Sequence, residues 1–100
     1  MKIGNIDVAM EPIKSFCAKW KIAELSLFGS ALREDFRDDS DVDVLVALEP
    51  GVTWGLRWFQ MQRELESLFG RQIDLVAKKA IKNPFRRREI LTTRRIVYAA

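Results

Sequence analysis

Apolar positions along the chain switch between a helical and a strand period, and the switches mark out its elements. Ile13, Phe16, Cys17 and Trp20 recur at i, i+3, i+4 and i+7, one stripe of a helix whose first turn accommodates Pro12. Trp20 is expected in the core. Ile22, Leu25, Leu27 and Phe28 then run into Gly29-Ser30, a pattern of strand, turn and helix start in which Ser30 is a favoured N-cap. From Ser40 the chain is rich in β-branched residues, and period-two alternation puts Val42, Val44 and Val46 on one strand face and Asp41 and Asp43 on the other. Glu49-Pro50-Gly51 is a loop signal; Leu56 to Phe69 reads as a second helix with Trp58, Met61, Leu65 and Leu68 on one face, closed by Gly70. Ile73 to Ala77 is the next strand pattern. Pro84 starts a short helix to about Leu91, and Arg95 to Tyr98 reads as extended.

Three strands, near Glu24–Phe28, Asp41–Leu48 and Ile73–Ala77, separated by a short and a longer helix, give an α+β fold with a small mixed β-sheet flanked by helices. The 100 residues are enough for one modest core, so a single domain spanning 1–100 is expected, with no repeats or low-complexity stretches. The N-terminus lacks the apolar centre of a signal peptide, and no apolar run approaches bilayer length, which points to a soluble cytoplasmic protein. Trp54, Trp58 and Phe59 are more aromatic surface than one helix of a small domain usually hides. Core packing is the simpler reading, with a partner-binding patch beside it.

Composition removes several chemistries. With no histidine, a Ser-His-Asp hydrolase and histidine metal ligands are excluded, and carboxylates must do any acid–base work. Cys17 is the only cysteine, so neither an intramolecular disulfide nor a multi-cysteine zinc site forms, and its apolar helical face suggests a buried, inert thiol. Charge is uneven: residues 1–77 carry nine Lys or Arg against thirteen acids, and residues 78–100 carry eight against Glu89 alone. That basic end is by default a solvated face. Arg86-Arg87-Arg88 and Arg94-Arg95 are also placed to offset an acidic site, contact nucleotide phosphates, dock an acidic partner or bind RNA weakly.

The candidate chemistry begins at Gly29-Ser30, because glycine lets backbone approach a ligand and the amides after a cap attract anions. After a gap of ten residues, Asp41 and Asp43 share a strand face roughly 6–7 Å apart, close enough to coordinate one divalent ion or bracket two. Two like charges so placed cost stability unless a cation relieves them. A solvated acidic turn made of Asp38, Asp39, Asp41 and Asp43 is the plainer alternative. Asp74 is the sole acid of the next strand and needs a partner if buried, either a metal or a basic side chain such as Arg71. Arg33 either meets a phosphate from the first turn or pairs on the surface with Glu34, Asp35 or Asp38.

Gly29-Ser30, the ten-residue gap, Asp41-x-Asp43 and Asp74 resemble the minimal nucleotidyltransferases of the DNA polymerase β superfamily, over about Leu27 to Val76. The short chain is similar to the MNT antitoxins that pair with HEPN toxins. The resemblance implies a polymerase β-like nucleotidyltransferase core in which Asp41 and Asp43 bind two magnesium ions. It implies that Asp74 binds the catalytic metal and helps activate the acceptor hydroxyl, and that Gly29 and Ser30 hold the β and γ phosphates of ATP. An all-oxygen donor set suits magnesium or manganese better than zinc. Relatives often carry a basic or bulky residue after the Gly-Ser and a glycine after the next arginine, whereas Ala31 and Glu34 stand here. The function implied is that of a type VII antitoxin, a protein adenylyltransferase moving AMP from Mg-ATP to a tyrosine hydroxyl of a HEPN ribonuclease toxin. Two readings stand beside it: an antitoxin that neutralises by binding alone, and the catalytic subunit of a small-molecule or RNA nucleotidyltransferase. Neither a membrane nor, as the favoured reading, a nucleic acid is an expected partner.

Overall fold

The two strands that carry the aspartates lie side by side, and the rest of the molecule is arranged to keep them there. The computed structural model describes residues 1–100. In chain order these form β1 (Lys2–Ile3), β2 (Ile6–Asp7), α1 (Met10–Trp20), β3 (Ile22–Phe28), β4 (Val42–Leu48), α2 (Arg57–Phe69), β5 (Ile73–Ala77), α3 (Pro84–Thr93) and β6 (Arg95–Ala99). Short 3-10 turns, Gly29–Leu32 and Lys78–Ala80, follow β3 and β5.

The main sheet has the order β5-β4-β3-β6. β3 is antiparallel to β4 and β6, whereas β4 and β5 are parallel, so the sheet is mixed, as expected. Parallel strands need a long crossover, and α2 provides it. Alternation on β4 sends Val42, Val44 and Val46 into a core with Ile13, Phe16 and Trp20 of α1 and Met61 and Leu65 of α2. The opposite face holds a smaller cluster of Phe28, Leu45, Ile81 and Ile90, which seats α3. The two helices α1 and α2 therefore cover one face of the sheet and α3 the other. Cys17 is buried, and burial pushes its thiol up to about 12, which leaves it unionised and inert near neutral pH.

Two features go beyond the expected three strands. β6 pairs with β3 as a fourth strand, with a bulge that leaves Val97 unpaired in the register. β1 and β2 form a ribbon around Gly4-Asn5, where Gly4 has φ +58 and Ile3 and Ile6 are buried on either side. A two-residue Gly-Asn link between apolar residues is a hairpin signal that was there to be read.

The aromatic excess divides in two. Trp20 is fully buried and meets Trp54 edge-on at 5.2 Å, and each indole N–H has a partner: Trp20 donates to Glu64 at 3.0 Å and Trp54 to the Trp20 carbonyl at 2.9 Å. Arg57 lies over both rings. Phe59 and Leu56, in contrast, are exposed.

Replacing Leu65 by alanine is expected to cost about 2–5 kcal/mol, since it empties a fully buried position between α2 and the sheet, and urea unfolding will measure it. Glu64 supplies a pH-dependent contribution. Burial pushes its carboxyl up, but hydrogen bonds from Lys19 and Trp20 and the Lys19 charge outweigh that and hold it below the ordinary 4.5. A lowered carboxylate stabilises above its unfolded value and loses that contribution as pH falls through the folded one. The stability gap between the wild type and Glu64→Gln is therefore expected at pH 7, at no more than about 1 kcal/mol for this partly exposed group, and should shrink below pH 4.5.

Candidate active site

The geometry of the candidate site starts from strand register. β4 and β5 pair with Asp43 opposite Asp74, and β3 pairs with β4 so that Phe28 is opposite Asp43. Gly29, the next residue, thus turns directly beside Asp43. It has φ +67, and a Cβ there would overlap the Asp43 carboxylate, so only glycine permits the approach. Asp41 stands one residue before β4, near enough for its charge to act on Asp43, and lines a separate hollow with Asp38, Asp39 and Arg71. The structure brings together Gly29, Ser30, Asp41, Asp43 and Asp74 at one end of the sheet, on the α3 face.

Asp43 is half-buried, while Asp41 and Asp74 are exposed. Burial is the main force raising the Asp43 carboxyl above its usual 3.8, and the charges of Asp74 and Asp41 add to it; the Ser30 backbone N–H and the Arg33 charge oppose them. A cation would relieve this strain, and three aspartates are a suitable oxygen donor set for magnesium or manganese. Their carboxylates do not converge as a closed cage of three. Asp41 and Asp74 are open to solvent, and Asp43 is half-buried beside the glycine turn.

The Gly-Ser turn departs from the expected helix start. Ser30 lies inside a 3-10 turn and caps nothing: its hydroxyl donates to the Asp41 carbonyl at 3.2 Å, and its amide is directed at Asp43. The reason lies in the N-terminal ribbon. The Asn5 side chain donates to the carbonyls of Ala31 and Arg33 at 2.9 and 2.6 Å, and the Asn5 amide bonds Ala31 as well, so carbonyls that a continuing helix would use are already taken. Asn5 is a positioning residue that inspection of the motif alone does not find.

Two more such residues lie on α2. Gln62 donates to the Ile73 carbonyl at 2.9 Å and Glu66 accepts the Ile73 amide at 3.0 Å, which fixes the start of β5 immediately before Asp74. Arg71 does not pair with Asp74. It reaches the carbonyls of Arg37 and Asp38 at 3.3 and 3.0 Å and pairs weakly with the Asp38 carboxylate, holding the acidic turn in place. Asp74 has no ion pair and faces solvent, which removes the need for a buried basic partner. Arg33 makes the surface pair with Asp35 at 3.3 Å and also lines a cleft of about 490 Å³ between Gly29 and α3, whose floor includes Phe28, Leu32 and Ile90. A second cleft, of about 330 Å³, opens at Asp74 beside Lys82, Asn83 and Arg86.

A glycine turn set against carboxylates on adjacent strands of a mixed sheet is the arrangement of a domain for nucleotidyl transfer. Comparison with known proteins narrows this. The nucleotidyltransferase domain model matches residues 10–97, and the chain belongs to that family and is a nucleotidyltransferase. It is similar to the protein adenylyltransferase MntA of Thermococcus cleftensis, 34% identical over 70% of each chain. A protein of Methanocaldococcus jannaschii provisionally named a protein adenylyltransferase is 33% identical over 84% of this chain and 85% of its own. Among solved structures, a toxin–antitoxin complex with AMP-PNP shares the fold at TM-score 0.71 and 19% identity, covering 93% of this chain and 75% of that one. So does a complex of MNT antitoxin with a tri-AMPylated HEPN toxin of Shewanella oneidensis, at TM-score 0.61 and 18% identity over 91% and 70%. No helix is long and apolar enough to cross a membrane.

Gly29→Ala is expected to weaken binding of an ATP analogue by about tenfold or more, the equivalent of 1–2 kcal/mol of backbone strain and displaced carboxylate. Gly51, also at positive φ but with open space around it, is the control. Gly51→Ala should change stability and leave analogue binding intact, as calorimetric titration of both variants will report.

Proposed function

We propose that this protein is the antitoxin of a toxin–antitoxin pair and acts on its partner as an adenylyltransferase, moving AMP from ATP to a tyrosine hydroxyl of a HEPN toxin in the cytoplasm. Register carries the reading, since β4 and β5 place Asp43 and Asp74 opposite one another beside the Gly29 turn. The similarity to MntA and the AMPylated toxin in a structural relative support the nucleotide, the type of acceptor and the partner. The whole chain, residues 1–100, serves as one domain.

In this reading Gly29 and Ser30 seat the β and γ phosphates, and Arg33 adds charge at the rim of the larger cleft. Asp41, Asp43 and Asp74 would hold magnesium, or manganese in its place, which would supply positive charge at the reacting phosphate. Asp74, exposed at the smaller cleft, orients the acceptor hydroxyl and takes its proton. The acceptor oxygen forms a bond to the α-phosphorus as the bond to pyrophosphate breaks.

With α-labelled ATP, magnesium and the HEPN partner, the wild type is expected to label the toxin, and Asp41→Asn with Asp43→Asn to lower the rate by at least about 100-fold. Absence of transfer by the wild type, or undiminished transfer by the double variant, overturns the reading. Toxin protection in cells by the double variant at normal expression would instead assign neutralisation to binding.

A further inference from the structure

The cleft at Gly29 and the cleft at Asp74 share one side chain. Arg86 lines both the 490 Å³ cleft, with Gly29 and Arg33, and the 330 Å³ cleft, with Asp74 and Lys82, and no other residue lines both. It sits in the first turn of α3, and that turn is fixed. The Asn83 side chain accepts the amides of Phe85 and Arg86 at 3.0 and 3.1 Å, and Ile81 and Ile90 anchor the helix against Phe28 and Leu45. Arg86 thus has a rigid backbone at the boundary between the clefts.

Its guanidinium is also uncommitted. Among nearby arginines, Arg87 donates to the Lys78 carbonyl at 2.8 Å, Arg94 pairs with Glu24 at 3.2 Å and Arg33 with Asp35. Arg86 makes no side-chain hydrogen bond or ion pair, although an arginine can donate two parallel N–H groups to a phosphoryl oxygen pair. A free cation at the meeting point of a phosphate-turn cleft and a carboxylate cleft is suited to charge that passes from one to the other.

We propose that Arg86 is a catalytic residue that contacts the phosphoryl group in transit, with the nucleotide in the larger cleft and the acceptor hydroxyl approaching from the Asp74 cleft. This rests on the nucleotidyl-transfer reading above. As the acceptor oxygen bonds to the α-phosphorus and its proton passes to Asp74, the electron pair of the breaking bond leaves with pyrophosphate. Arg86 neutralises the charge accumulating on the non-bridging oxygens during that exchange. Such a contact strengthens in the transition state, so its loss should fall on kcat more than on KM.

The test measures labelled AMP transfer from Mg-ATP to the HEPN partner by the full-length wild type, Arg86→Ala, Arg86→Lys and Arg88→Ala. Arg88 is exposed on the same helix and lines neither cleft, so it controls for loss of basic charge. Expected are a fall in kcat of about 100-fold for Arg86→Ala with KM for ATP changed less than about threefold, partial recovery in Arg86→Lys or on adding millimolar methylguanidinium, and full activity in Arg88→Ala. An active wild type with Arg86→Ala at full kcat, a defect confined to KM, or a loss shared equally by Arg88→Ala overturns the assignment and leaves the reaction intact. Wild type that transfers no label removes the reaction and this assignment together.

Discussion

The parallel pairing of β4 with β5 is the constraint on which the rest depends. It sets Asp43 against Asp74 on strands spaced roughly 5 Å apart, an arrangement that like charges oppose. The opposition is overcome from the other face, where Val42, Val44, Ile73 and Leu75 are buried under α1 and α2. A one-residue slip would turn those apolar side chains to solvent, so the hydrophobic core enforces the carboxylate alignment. Parallel strands also demand the α2 crossover, and α2 repays that length by gripping Ile73 through Gln62 and Glu66.

Around this pair, small local devices take on large roles. Gly29 allows the backbone to pass where a side chain would strike Asp43, and Asn5 occupies the carbonyls beyond it so that the chain turns once and stops. Asp43 is left half-buried near Asp74 and Asp41, and burial together with those like charges raises its carboxyl above the usual range. The site is therefore poised by repulsion as much as by attraction.

The basic end of the chain resolves into separate jobs once folded. Arg94 and Lys78 both lie near Glu24 of β3, which anchors the tail to the sheet. Arg87 braces the turn after β5, and Arg86 alone faces both clefts. A uniform charge excess in sequence thus divides into structural ties, solvated charge and one unpaired guanidinium between the two clefts. Bulk charge is visible in composition; which arginine is free depends on partners distant along the chain.

Local patterning determined a good deal. The 3.6 and 2.0 periods located α1, α2 and the longer strands because each element buries one face in a common core, and the spacing of Gly29-Ser30, Asp41, Asp43 and Asp74 marked the residues that the fold gathers. Pro84 placed α3, with Asn83 as its cap. The N-terminal ribbon escaped notice because its strands are only two residues long, and the Ser30 helix was misplaced because Asn5 competes for its carbonyls from 26 residues away. By itself, then, the sequence determined the longer elements and the mixed α+β class, which follow from neighbours within a few residues. Only the tertiary structure decided that Asp43 and Asp74 share a register, that the turn stops after one 3-10 coil, and that Arg86 joins two clefts. Those outcomes depend on long-range pairing and on competition for hydrogen bonds, which no local pattern encodes.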